Sequence, residues 1–225
     1  MQVETSVKMI LKTMKLYSYF RSSAAFRVRI VLNLKQLPYD IVPVHLVKNG
    51  GEQHLPAYLA KNPMGLVPCL EEDAVILTQS TAICEYLNEA YPEPPLLPQN
   101  LKERALIRSV CSLVACDIHP VNNLRILNYL TKTLDHDEAQ KNTWYRHWIG
   151  EGFSALERQL EPGAGLYSFG NTITMADAFI VPQVLNALRF KCPMDAYPTL
   201  QRVYDNAMLL GAFERAAPAA QPDAE

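Results

Sequence analysis

The 225-residue sequence has no long apolar run and no excess of charge of either sign. A bilayer-spanning helix needs about 18 or more consecutive apolar residues, and no stretch of the chain approaches that length. Lys and Arg number 21 against 23 Asp and Glu, and the net charge of −2 is too small to attract nucleic acid or an anionic membrane. Residues 1–17 are broken by lysines and lack a small-residue cleavage site, so we expect no signal peptide.

Paired cysteines are also lacking. The chain has five cysteines, an odd number, and none has the C-x-x-C spacing that is typical of zinc sites and redox motifs. A secreted disulfide framework would show denser pairs. We therefore expect reduced, mostly buried thiols in a cytoplasmic protein without a metal site. The five residues are Cys69, Cys84, Cys111, Cys116 and Cys192.

The composition is that of an ordinary folded protein, with 49% hydrophobic and 20% charged residues. This is enough apolar material for a core, which excludes a disordered chain. The length fits one large domain, or a small domain of about 80 residues joined to a larger one. The pattern up to residue 90 predicts, in order, a strand at 15–19, a helix at 22–36, an edge strand at 39–46, strands at 67–70 and 75–77, and a helix at 80–90.

A proline-rich segment, 92–99, is expected to link this α/β domain, 15–91, to an all-α domain, 100–225. Residues 1–14 are expected to form an N-terminal extension, and the Ala- and Pro-rich residues 216–222 are expected to fray. Thr174 and Asp177 fit a capping box, which favours a structural role for Asp177 over a catalytic one. Helical periodicity in the second domain predicts helices at 101–117, 137–160 and 175–189.

Four short segments carry the most specific signal. They are Tyr17–Arg29, with Tyr-Phe-Arg-Ser-Ser and Arg-Val-Arg, then Asn62–Leu70, Gln79-Ser80 and Asp117–Arg125. In this order they resemble the zeta class of the cytosolic glutathione transferases. The resemblance covers residue 15 to about 220. It implies a thioredoxin-like first domain, an all-helical second domain and a homodimer.

The resemblance implies that glutathione is the cofactor. Ser22 is expected to stabilise its thiolate, with Ser23 as the second choice, although the residues alone equally allow both to cap a helix. Pro68 is expected to follow a cis peptide bond, and Ser80 to be the N-cap of a helix that receives a carboxylate. His119 fits a ligand contact and a buried capping residue equally well. The expected glutathione contacts are Ser22, Ser23, Gln53, Val67, Pro68, Gln79, Ser80, His119, Asn123 and Arg125.

The resemblance also implies an activity, the glutathione-dependent cis–trans isomerisation of maleylacetoacetate in tyrosine and phenylalanine breakdown. Arg21 and Arg189 are expected to bind the carboxylates of this dicarboxylate substrate, although Arg189 also fits a cation at a helix C-terminus. Arg27 and Arg29 are predicted to be structural or surface residues. Ala24 departs from the class, in which many members have cysteine there, so glutathione is expected to supply the reacting sulfur. Alternatives are a maleylpyruvate isomerase, a transferase acting on α-halo acids, and a non-catalytic binding module.

Overall fold

The computed structural model describes residues 14–225. The predicted N-terminal extension therefore lies outside the described residues, except for Met14. Met14 does not belong to an extension, because it is the first residue of the first strand and is only 2% exposed. In the described range no helix combines the length and the apolar character needed to cross a membrane.

The first part of the chain forms a four-stranded mixed sheet in the order β2-β1-β3-β4. β2 runs parallel to β1, whereas β3 is antiparallel to β1 and β4 is antiparallel to β3. β2 is an edge strand, as predicted, which suits Pro43 because proline has no N–H to donate to a second neighbouring strand. The strand ends at Pro43, three residues earlier than predicted. The strands are β1 (Met14–Ser18), β2 (Tyr39–Pro43), β3 (Cys69–Glu72) and β4 (Val75–Thr78).

The same part of the chain contains three helices: α1 (Ser23–Leu34), the single turn α2 (Pro56–Leu59) and α3 (Ser80–Ala90). Ser22 is the N-cap of α1, and its Oγ accepts a hydrogen bond from the Ala25 N–H at 3.2 Å. α1 ends two residues earlier than predicted because Gln36 adopts a left-handed conformation with φ of 54°. The one-turn α2 was not predicted.

The rest of the chain is helical. The predicted helix at 101–117 is in fact an α-helix followed by a π-helical turn at Leu113–Ile118, in which the His119 N–H bonds the Val114 carbonyl at 2.9 Å. This wider turn packs against Gly152, in the helix that spans Glu138–Leu160, where an added side chain would collide with Ile118. The helices are α4 (Leu101–Ser112), α5 (Leu124–Lys132), α6 (Glu138–Leu160), α7 (Met175–Arg189), α8 (Pro198–Met208) and α9 (Gly211–Ala216).

The Asp177 carboxylate is fully buried at the start of α7. One oxygen accepts from the Ser168 N–H at 2.8 Å, and the other accepts from the N–H and the hydroxyl of Thr174 at 2.7 and 3.1 Å. Burial raises the pKa of this carboxyl group, and the hydrogen bonds from Thr174 and Ser168 lower it. Asp177 thus fixes the turn before α7, as the capping-box interpretation predicts.

The linker and the C-terminal tail pack closely against the two domains. Leu96 is buried in the core, and its carbonyl accepts from the Met175 N–H at 2.8 Å. The prediction that residues 216–222 fray is wrong. The Ala216 carbonyl accepts from the buried Arg29 Nε at 2.8 Å, and the Asp223 carboxylate accepts from the Phe20 N–H at 3.0 Å.

Candidate active site

A cleft between the sheet and the helical part of the chain contains three adjoining compartments. The α3 compartment, about 530 Å³, lies at the N-terminus of α3. The middle compartment is about 130 Å³, and the arginine compartment, which contains Arg21 and Arg189, is about 310 Å³. His119 and Asn123 line all three, and every site residue predicted from the sequence lines at least one of them.

The arginine compartment is strongly cationic. Arg21 and Arg189 both line it, and no Asp or Glu is among its lining residues in the described part of the chain. Burial lowers the pKa of Arg189, and the charge of Arg21 lowers it further. Two guanidinium groups with no carboxylate between them suit a ligand that carries two carboxylates.

Ser22 lines both the arginine and the middle compartments. Its Oγ accepts from the Ala25 N–H, so its proton remains for an acceptor in the cleft. Ser23 Oγ likewise accepts a hydrogen bond, from the Asn186 Nδ2, but Ser23 is buried, whereas Ser22 is only partly buried. The geometry therefore favours Ser22 over Ser23 as the donor to a ligand.

The middle compartment offers unpaired polar groups. Gln53 is buried, with its Nε2 3.3 Å from the Leu46 carbonyl, and its Oε1 has no partner in the described residues. The Val67-Pro68 peptide bond is cis, as predicted. The backbone N–H and C=O of Val67 likewise form no hydrogen bond with another described residue. Groups in this arrangement fit an extended peptide ligand.

The start of α3 differs from the prediction in one detail. The N-cap is Gln79, with φ of 68°, and Ser80 is the first helical residue. Gln79 makes no capping hydrogen bond with its side chain, so the first N–H groups of α3 face the compartment without a side-chain cap. Ser80 Oγ accepts from Arg27 Nη1 at 3.2 Å. A helix N-terminus of this kind favours an anionic group.

His119 is neutral in this cleft. Asn123 caps α5, and because its Oδ1 accepts from the Arg125 N–H at 3.0 Å, its Nδ2 faces His119 Nε2 at 3.2 Å. The amide nitrogen can only donate, so the neutral ring carries its proton on Nδ1. Burial, followed by the charges of Arg27 and Arg125, lowers the pKa of His119 to about 3.

Comparison with known proteins identifies the family. Residues 16–95 match the model of the glutathione S-transferase N-terminal domain, and residues 123–208 match that of the C-terminal domain. A Vibrio cholerae protein named probable maleylacetoacetate isomerase is 50% identical over 93% of this chain and 97% of its own length. A solved holo maleylpyruvate isomerase, described as a bacterial glutathione S-transferase of the zeta class, is 48% identical with a TM-score of 0.91, covering 94% and 100% of the two chains.

The chain belongs to the zeta-class glutathione transferases. A maleylacetoacetate isomerase of Methylobacterium extorquens AM1, solved with bound malonate and glutathione, is 37% identical with a TM-score of 0.89, and the match covers 94% of this transferase and 99% of that chain. In the described part of the transferase, no three His, Cys, Asp or Glu side chains are grouped as metal ligands would be.

Sequence reasoning missed several residues of the cleft. Asn186 lies three residues before Arg189 on α7, and this helical spacing was a signal that both face the same compartment. Cys116 is exposed and lines the α3 compartment together with Ala24, and no motif pointed to it. Arg27, predicted to be structural or at the surface, is buried at the wall of the same compartment.

Proposed function

We propose that this transferase is a glutathione-dependent cis–trans isomerase that acts on maleylacetoacetate. The observation that carries the proposal is the position of Ser22, between a compartment suited to a dicarboxylate and compartments suited to a peptide. No acidic residue lines any of the three compartments in the described part of the chain. The relatives named as maleylacetoacetate isomerases support this activity.

The residues of the α3 and middle compartments fit glutathione. Ser80 and Gln79 at the start of α3 would receive the γ-glutamyl carboxylate. The unpaired backbone of Val67 would bond the cysteinyl backbone as an added strand does. Gln53, whose Oε1 lacks a partner, would bond the glycyl end. These contacts would place the cysteinyl sulfur near Ser22.

The remaining predicted contacts belong to the same proposal. Pro68 would hold the cis turn that presents Val67. His119, Asn123 and Arg125 would contact glutathione from the helical side of the cleft, with Arg125 exposed at its rim. Ser23, the first residue of α1, would help to hold the neighbouring Ser22 in position.

Glutathione, when bound, would supply a thiolate that adds reversibly to the cis double bond, allows rotation about the resulting single bond, and leaves unchanged. The Ser22 hydroxyl would donate a hydrogen bond to the sulfur and keep it deprotonated, helped by the N-terminus of α1. Arg21 and Arg189 would bind the substrate carboxylates and offset the negative charge that develops on the ketone oxygen. Holding both reactants in one cleft provides the proximity that the addition needs.

The test is ultraviolet-monitored conversion of maleylacetoacetate with and without glutathione. We expect Ser22→Ala to lower kcat/KM by about 100-fold or more, the usual effect of losing a donor to a developing anion. Arg189→Ala should raise KM by roughly 10- to 100-fold through loss of a charge-assisted contact. Arg158→Ala, which removes an exposed arginine on α6, is the control and should change neither constant. Turnover that does not depend on glutathione would contradict the proposal.

Maleylpyruvate isomerisation is the second candidate, because a solved enzyme of that name matches the chain closely. The chemistry is the same on a shorter dicarboxylate. Maleylpyruvate should therefore be assayed in parallel, and a higher kcat/KM for it would reassign the substrate while leaving the roles of Ser22 and Arg189 intact.

We also propose a homodimer that works in the cytoplasm. Val75 on β4 and Leu101 and Leu106 on α4 are exposed apolar side chains, which a second copy would cover. All five cysteines are free thiols, as suits a reducing compartment. Light scattering of the purified protein would measure the assembly.

A further inference from the structure

Two arginines on α1 are buried, and their hydrogen bonding differs sharply. Arg29 makes four hydrogen bonds, to the carbonyls of Ala216, Tyr19 and Phe20 and to the Ser18 hydroxyl. Arg27, only 1% exposed, makes one, from Nη1 to Ser80 Oγ. Its Nε and Nη2 are buried without a partner in the described residues.

The charge of Arg27 is also uncompensated. This side chain forms no salt bridge within residues 14–225. The neighbouring groups that raise its pKa are the thiols of Cys84, Cys111 and Cys116, and none of them is a carboxylate. Burial lowers the pKa of Arg27 to about 10, so it remains charged at neutral pH. The ring of Phe179, 4.9 Å from Cζ, gives partial compensation. A buried charge without a counter-ion is costly, which favours an anion supplied from outside the chain.

That anion has a place directly beside Arg27. The residue lines the α3 compartment together with Gln79 and Ser80, at the uncapped N-terminus of the 11-residue α3. Because Arg27 Nη1 donates to Ser80 Oγ, one lone pair of the hydroxyl is occupied. The Ser80 proton is then left to point at a ligand oxygen.

We propose that Arg27 is a positioning residue that makes the N-terminus of α3 selective for the γ-glutamyl α-carboxylate of glutathione. This rests on the proposed use of glutathione. Arg27 orients the Ser80 hydroxyl as a donor. Its positive charge is balanced when the ligand places a carboxylate here, and is left unbalanced when the ligand places a neutral group here. Its free nitrogens are inaccessible, so it acts through Ser80 and its field and does not touch the ligand.

The test compares two ligands on the full chain. One is glutathione, and the other is γ-aminobutyryl-cysteinyl-glycine, which keeps the thiol, the amine and the glycyl carboxylate but lacks the α-carboxylate. Calorimetry would give Kd for wild type, Arg27→Met, which removes the charge at similar volume, and Arg27→Lys, which keeps the charge. Arg108→Met, which removes a partly exposed arginine paired with Glu85, is the control.

We expect Arg27→Met to raise the Kd of glutathione by roughly 10- to 100-fold while changing that of the analogue less than about threefold. Arg27→Lys should restore much of the preference for glutathione over the analogue, and Arg108→Met should change neither Kd. If Arg27→Met does not fold, Arg27→Gln provides the same comparison, because it also removes the charge but keeps a polar side chain.

Equal losses for both ligands would overturn the proposal, because they would show a packing role only. An unchanged Kd for glutathione would overturn it as well, since Ser80 alone would then suffice. In both cases wild type still binds glutathione and the proposed function survives. Failure of wild type to bind glutathione would overturn the proposed function and this inference together.

Discussion

Replacing Asp177 with asparagine should cost stability without changing the chemistry of the cleft. The Ser168 N–H donates to one carboxylate oxygen and the Thr174 N–H to the other, both within 2.8 Å. An amide has a single oxygen, so one of the two N–H groups must face an NH2 group. An unsatisfied buried donor near a formerly charged acceptor costs about 3 kcal/mol. For a chain of this size that corresponds to a fall in Tm of roughly 6–12 °C.

The assay is thermal unfolding of Asp177→Asn beside Asp195→Asn, an exposed carboxylate, which should leave Tm within about 1–2 °C of wild type because surface changes cost little. Maleylacetoacetate turnover is then measured well below both transitions. The fully folded variant should keep the wild-type kcat/KM, because Asp177 lines none of the three compartments. An unchanged Tm with a large loss of kcat would refute the structural role.

Two further predictions concern stability. Because the pKa of His119 is lowered from 6.5 to about 3 in the folded chain, the unfolded chain takes up this proton first, and stability should fall as pH drops from about 6.5 toward 3. In urea titrations at successive pH values, His119→Asn should show a smaller fall than wild type, and parallel curves would disprove the burial of a neutral ring. Gly152→Ala should destabilise the chain by about 1–3 kcal/mol, since its Cβ would collide with Cγ1 and Cδ1 of buried Ile118. In chemical denaturation, adding Ile118→Ala should recover part of the free energy of unfolding that Gly152→Ala loses. Strictly additive losses from the two substitutions would show that Ile118 is not the source of the strain.

Local patterns in the sequence were sufficient for much of the fold. Period-2 and period-3.6 patterns placed the four strands and the helices α1, α3, α6 and α7 within a few residues. The capping of α7 by Asp177 was also predicted, because it depends on residues only three apart. All the residues predicted for the site line one cleft, although Gln79, not Ser80, is the N-cap of α3.

Distant contacts were not visible in the sequence. The sequence predicted Arg29 to be a structural or surface residue and named no partner for it. In the structure it lies under α9, where its Nε bonds the Ala216 carbonyl, and the Asn33 Nδ2 on the same helix donates to the Ala212 carbonyl at 2.9 Å. The partners lie nearly two hundred residues away. An Ala- and Pro-rich tail carries no periodic signal that would reveal such a destination.

The hydrogen bond between Asp223 and the Phe20 N–H spans 203 positions of the chain. Phe20 stands two residues before Ser22, so the serine loop acquires this anchor only after residue 223 has been synthesised. The sheet emerges from the ribosome first and can fold while the helices are still being made. The last fixed point of the serine loop is then added only after α7, which carries Arg189, has been made.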